Sequence, residues 1–221
     1  MKSHQRMNAS TNREIGISAN PQINELPIME TFYSIQGEGF YQGEAAFFMR
    51  LAGCDVGCVW CDVKESWDAN LHHLRSIDSL VDEVMQTETK IVIITGGEPM
   101  MYNCNLLTEA LQEKGYKTHL ETSGAYPISG SWDWICLSPK KFKAPLLESL
   151  SQANELKVVV FNNSDFEWAK EHANLVNKTC LLYLQPEWSK EKKMLPKITE
   201  FIQQNPKWKL SLQIHKYMNV R

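Results

Sequence analysis

From about residue 25 onward, short apolar runs rich in β-branched residues alternate with segments whose apolar positions recur every three to four residues. That alternation predicts βα units around a mostly parallel sheet. The runs predict strands over residues 46–51, 91–95, 118–121, 134–137, 155–161, 181–185 and 209–213. Helical spacing predicts a helix over 77–85, with apolar residues at 77, 80, 81, 84 and 85, and another over 106–111, ending near Gly115. Two more are predicted over 165–175, with Ser164 as N-cap, and over 192–204, stopping before Pro206. Residues 1–24 are polar, lack periodicity and contain Pro21, so they predict a loosely held extension ahead of one domain spanning 25–221.

Composition excludes several classes. With 43% hydrophobic and 22% charged residues in 221, the chain is an ordinary globular one, neither disordered throughout nor collagen-like nor a coiled coil. Its 23 basic and 26 acidic side chains leave a net charge of -3, so no overall field draws it onto nucleic acid or anionic lipid. Apolar stretches such as 91–94 are far shorter than the roughly 18 residues of a membrane span. Lys2 and Arg6 are followed by polar residues rather than an apolar segment, which predicts no secretory signal and a cytoplasmic, reducing compartment. Against that background, three of the six cysteines crowd into the eight residues from 54 to 61.

Cys54, Cys58 and Cys61 form C-x3-C-x2-C directly after a predicted strand, with Gly57 loosening the loop. Three readings are open. The i, i+4, i+7 spacing suits one face of a helix and three buried thiols, although Asp55, Val56 and Gly57 make a poor helix. A structural zinc site needs a fourth ligand, for which Asp62, His72 or His73 is near in sequence. Three thiolates on an iron-sulfur cubane would leave one iron open to a substrate or cofactor. Cys104, Cys136 and Cys180 lie in predicted strand or helix patterns among apolar neighbours and read as small buried hydrophobes. Trp132, Trp134, Trp188 and Trp208 read as packing or dimer-surface residues.

C-x3-C-x2-C with an aromatic, Trp60, before the last cysteine resembles the signature of the radical S-adenosylmethionine superfamily. Gly96-Gly97-Glu98-Pro99, following a predicted strand, is similar to that superfamily's second motif, where the backbone approaches the cofactor's methionine amino group. Further pieces resemble the 7-carboxy-7-deazaguanine synthase family: Ser34-Ile-Gln36-Gly37-Glu38-Gly39, Phe48-Met-Arg50, Glu121-Thr-Ser-Gly124, Leu137-Ser138-Pro139-Lys140, Leu184-Gln-Pro186 and His215-Lys216-Tyr217. A sister family of activases shares the cysteine spacing but lacks the Ser-x-Gln-Gly-Glu-Gly opening and the His-Lys-Tyr segment.

The resemblance implies an α/β fold of the incomplete, open (βα) barrel type, one [4Fe-4S] cluster on Cys54, Cys58 and Cys61, and S-adenosylmethionine as cofactor. It implies radical ring contraction of 6-carboxy-5,6,7,8-tetrahydropterin with loss of ammonia, a flavodoxin or ferredoxin as electron donor, and a homodimer. Arg50 would bind the substrate carboxylate through its guanidinium fork, and Ile35, Gln36, Gly37, Thr95 and His215 would contact the pterin. Trp60, Gly97, Ser138, Pro139 and Lys140 would meet the cofactor, and Glu121 would hold its ribose. One position departs from the family: its usual Thr, a Mg²⁺ ligand, is Val63 here. A Mg²⁺ at this site relies on substrate, water or Asp62, or is absent.

Overall fold

The structure, a computed structural model, describes residues 24–221. The expected extension over 1–24 lies outside the described residues except for Asn24, whose carbonyl accepts from Ile77 N at 3.0 Å. Nine strands form a single sheet: β1 (Glu25–Ile35), β2 (Ala45–Leu51), β3 (His73–Ser76), β4 (Ile91–Gly96), β5 (Lys117–Thr122), β6 (Trp134–Leu137), β7 (Glu155–Val160), β8 (Leu181–Pro186) and β9 (Trp208–Leu210). Their order is β3-β1-β2-β4-β5-β6-β7-β8-β9, antiparallel over the first three and parallel from β2 to β9. β3 and β9 are its unjoined edges, so the barrel is open.

Helices α1 (Ile77–Val84), α2 (Asn105–Glu113), α3 (Leu147–Gln152), α4 (Ser164–Ala173), α5 (Glu191–Gln204) and α6 (Ile214–Met218) accompany the strands. Because side chains alternate across a strand, Phe47, Met49, Leu51, Val92 and Ile94 pack outward with Leu80, Val84, Leu107 and Leu111 of α1 and α2. Leu156, Val158, Leu182 and Leu184 do the same with Leu150, Ala169, Met194 and Ile198 of α3, α4 and α5. These two apolar layers leave the opposite strand faces to line the barrel.

Several expectations are corrected in detail. The sequence pattern does not predict β1 or β3: β1 contains Pro27 and a register shift between Ile28 and Glu30 that breaks its two-residue period, and β3 is a four-residue edge strand. α3 and α6, of six and five residues, are too short to show a period. The final strand ends at Leu210 rather than 213. Ser164 is not the cap of α4 but its first residue, and the Asp165 carboxylate instead receives Phe161 N and Asn162 N at 2.8 and 2.7 Å. None of the helices among the described residues is long and apolar enough to cross a membrane.

Candidate functional site: a polar barrel interior beneath a cysteine loop

The loop after β1 turns inward and makes the floor of the barrel. Gln36 Nε2 donates to Glu121 Oε1 at 2.9 Å, and Glu38 accepts from Lys157 Nζ at 2.5 Å and from Gln213 Nε2 at 2.7 Å. Ser211 Oγ accepts from Gly39 N at 2.9 Å and donates to Gln185 Oε1 at 2.8 Å. Phe40 stacks on Trp134 and Tyr41 leans on His119, with centroids 5.0 and 4.4 Å apart, closing the side away from the cysteines. Burial alone would raise the Glu38 carboxyl, but the Lys157 ammonium outweighs it and brings the carboxyl down to about 2. Burial works against the Lys157 charge too, yet the surrounding Glu121, Glu38 and Glu155 carboxylates hold it well above the ordinary lysine value. The floor is therefore a fixed array of charges and amides.

Arg50 stands on the inward face of β2, beside Thr95 in register and opposite Glu30. It donates through Nε to Glu30 Oε1 at 2.9 Å, and among the described residues its terminal nitrogens have no hydrogen-bond partner and can grip a carboxylate. Arg221 Nη1 reaches the other Glu30 oxygen at 3.0 Å, so the β1 carboxylate is shared by two guanidinium groups. His215, in α6, lies against Gly37, where a Cβ would sit 2.1 Å from its Nδ1. Burial lowers the His215 pKa, which favours the neutral imidazole at neutral pH.

At the carboxyl end of the parallel strands, Gly97 N donates to Leu51 O and Glu98 N to Gly53 O, both at 2.8 Å. This seats the β4 turn directly on the cysteine loop. The close approach that requires glycine is to protein: a Cβ on Gly97 would lie 2.1 Å from Gly53 O and 3.1 Å from Cys54 Cβ. Glu98, 1% exposed, accepts from Met100 N and Thr122 Oγ1 with one oxygen and from Ser123 N and Oγ with the other. It thereby binds the β4 and β5 turns together. Lys140 Nζ donates to Ser138 O and Oγ at 2.8 and 2.6 Å and lies 5.7 Å from the Trp60 ring.

Cys54, Cys58 and Cys61 are free thiols on one cavity of about 360 Å³. Burial pushes the Cys58 thiol up to about 11, with nearby Lys140 opposing the rise and the other two cysteines adding to it. A cationic metal centre would reverse that penalty and make them thiolates. Of the side chains suggested for a fourth zinc ligand, Asp62 is 2.7 Å from Lys216 Nζ, His72 Nε2 meets Glu65 O at 2.7 Å, and His73 lies on edge strand β3. Among the described residues no three His, Cys, Asp or Glu side chains are gathered tightly enough for one metal ion. Three separated thiols fit a cluster, in which each binds a different iron.

The same cavity is lined by Ile35, Gln36, Gly37, Arg50, Thr95 and His215 and by Trp60, Gly97, Glu121, Ser138 and Lys140. Pro139 is buried beside it and is the one singled-out residue that does not line it. Sequence reasoning missed Glu38, Lys157, Gln185 and Gln213, although the alternation Glu155-Leu-Lys157-Val-Val159 signals an inward polar face. Cys136 is corrected: it points into the polar interior, its Sγ 3.6 Å from Glu155 Oε1, rather than into an apolar core. Cys104 is fully buried in an apolar cluster and Cys180 packs against another. Trp208 and Trp132 pack in cores, whereas Trp188 lines the cavity with Lys216 over its ring.

Comparison with known proteins agrees with this architecture. Residues 50–136 match the model of the radical SAM superfamily. A 7-carboxy-7-deazaguanine synthase from Flavobacterium psychrophilum is 51% identical over 195 residues, covering 88% of this chain and 92% of that protein. One from Synechocystis is 47% identical, covering 88% and 93%. The crystal structure of QueE from Escherichia coli superposes with a TM-score of 0.77 at 30% identity, covering 86% of this chain and 94% of that one. Identity of up to 51% along nearly the whole described length, with the same fold in a solved relative, places the chain in the 7-carboxy-7-deazaguanine synthase family of radical S-adenosylmethionine lyases.

Proposed function

We infer that this chain converts 6-carboxy-5,6,7,8-tetrahydropterin to 7-carboxy-7-deazaguanine with release of ammonia, in 7-deazapurine and queuosine biosynthesis. The observation that carries the reading is the polarity of one cavity: thiols at its rim, a guanidinium on its wall, and charges and amides on its floor. When bound to Cys54, Cys58 and Cys61, a [4Fe-4S] cluster supplies, with S-adenosylmethionine, the radical chemistry of the superfamily. Arg50 holds the substrate carboxylate while Ile35, Gln36, Gly37, Thr95 and His215 read the pterin. Trp60, Gly97, Ser138 and Lys140 face the cofactor, with Pro139 supporting that loop from behind, and Glu121 serves its ribose or, through Gln36, the substrate side of the floor. The buried walls exclude water from the reacting atoms, and the fixed floor orients the substrate.

Mg²⁺ has no hydroxyl ligand at Val63, so a bound ion takes its oxygens from substrate, water and Asp62, the last at the expense of the Lys216 pair. Turnover then depends less on added Mg²⁺ than in a Val63→Thr variant. Equal Mg²⁺ affinity and dependence in the two proteins would refute that account. A flavodoxin or ferredoxin is the electron donor, the compartment is the cytoplasm and the working form is a homodimer; sedimentation checks the last. The test of the activity is anaerobic reconstitution, about four irons and four sulfides per chain being expected, followed by mass spectrometry after incubation with the carboxytetrahydropterin, S-adenosylmethionine and dithionite. Formation of the deazaguanine acid supports the reading; a single zinc and no product overturns it.

A further inference from the structure

We propose that Asp55, Tyr126 and Lys143 form a latch that holds the cysteine loop closed over its metal centre, a positioning role that rests on reading Cys54, Cys58 and Cys61 as cluster ligands. Asp55 directly follows Cys54 and, among the described residues, is the one side chain between Cys54 and Cys61 that hydrogen-bonds to another loop. Its Oδ2 accepts from Tyr126 Oη at 2.5 Å and from Lys143 Nζ at 2.8 Å. Lys143 Nζ also donates to Tyr126 Oη at 2.7 Å and lies 4.0 Å from that ring's centroid. Each bond involves a charged partner or a cation over a ring, so the set is stronger than neutral contacts of the same number.

The three residues come from three loops, following β2, β5 and β6, and none of them lines the cavity. Beside Lys143, Phe142 meets Trp60 edge-on with centroids 6.3 Å apart, which ties the loop after β6 to the cysteine loop a second time. That loop begins with Ser138 and Lys140, which face the cavity. The outer side of the cysteine loop is open to solvent, since Val59 is 65% exposed. For an iron to leave, the segment from Cys54 to Cys61 must swing outward, and the Asp55 bonds are among the first that such a motion breaks. Asp55 and Lys143 are 48% and 34% exposed, so salt weakens the latch.

The test uses full-length protein, reconstituted anaerobically, in which loss of the cluster to a ferrous-iron chelator is followed by visible absorbance. Asp55→Asn and Lys143→Met should lose the cluster about three- to tenfold faster than the parent, Lys143→Arg should restore the slow rate, and high salt should speed the parent toward the variants. Lys141→Met is the control, because its ammonium pairs with Asp165 at 2.7 Å and not with the cysteine loop. Melting temperatures of the metal-free proteins should stay together. Equal loss rates in parent and variants, an equal effect of the control, or a fall in metal-free stability that accounts for the faster loss each overturns the latch. A parent that takes up no cluster overturns the reading of the cysteines, and the latch with it.

Discussion

Arg50 and Glu38 illustrate how single charges inside this barrel are set by their immediate partners. Arg50 spends Nε on Glu30 and keeps its fork, so an ammonium at that position, which lacks the fork, should bind a carboxylate less well. Arg50→Lys is expected to raise the substrate KM about tenfold or more with a smaller change in kcat and unchanged iron content; unchanged steady-state kinetics would make Arg50 structural. Glu38 is the more consequential for stability. Its folded-state pKa of about 2 lies below the ordinary 4.5, so the pair with Lys157 stabilises the fold fully above about pH 4.5 and loses that contribution as pH falls toward 2. Glu38→Gln leaves Lys157, 5% exposed, without that partner and should cost about 3–5 kcal/mol at neutral pH. The difference between parent and variant should shrink as melts are repeated from pH 5 downward, and a constant difference would show that the carboxylate charge is not what matters. The environment of Glu38 could not be read from the sequence alone, because Glu38 and Lys157 meet across 119 positions.

At the scale of elements, what was legible followed from period and length. The parallel strands announce themselves because their outward faces supply apolar side chains at alternate positions, such as Phe47, Met49 and Leu51 of β2, Val92 and Ile94 of β4, Leu156 and Val158 of β7 and Leu182 and Leu184 of β8. β1 was hidden by Pro27, by the irregular register near Ile28 and by polar residues on both faces, Glu30 pairing with Arg50 and Thr31 with Glu83 of α1, and α6 by its five-residue length. The turn after β4 was legible as a motif, but not the reason for its second glycine, which depends on where Gly53 lies. Gly97→Ala places a methyl against the Gly53 carbonyl and should disrupt the two 2.8 Å bonds that seat the turn on the cysteine loop. A loss of about 1–3 kcal/mol is expected from such overpacking, together with weaker S-adenosylmethionine binding to the cluster-loaded protein by equilibrium dialysis. Parental stability and affinity in the Gly97→Ala variant would mean that the turn can shift without consequence.

The whole molecule brings together parts of the chain that no local pattern connects. The curvature of the sheet carries β9 and α6 back to the loop that follows β1, where Ile214 N donates to Gly37 O at 3.0 Å and Gln213 meets Glu38. From there the segment 214–221 straps across the cavity: His215 lines it, Lys216 reaches Asp62 next to Cys61, and Arg221 reaches Glu30 on β1. Besides these ion pairs, Tyr217 meets Trp188 edge-on with centroids 5.3 Å apart, but Tyr217, Met218 and Val220 are exposed and no residue of the segment belongs to the two apolar cores. Function and folding should therefore separate on its removal. A chain ending at Gln213 is expected to fold, to take up the cluster and to bind S-adenosylmethionine, because Cys54, Cys58, Cys61, Gly97 and Ser138 belong to the retained strand ends. With the substrate bound as proposed, turnover should fall by about 100-fold or more, since His215, Lys216 and Arg221 are lost from the cavity wall together. Reductive cleavage of S-adenosylmethionine should continue without product, an uncoupling read by comparing methionine with deazaguanine acid in the same mixture. A truncated protein that forms both in the parental ratio would show that the strap takes no part in holding the substrate.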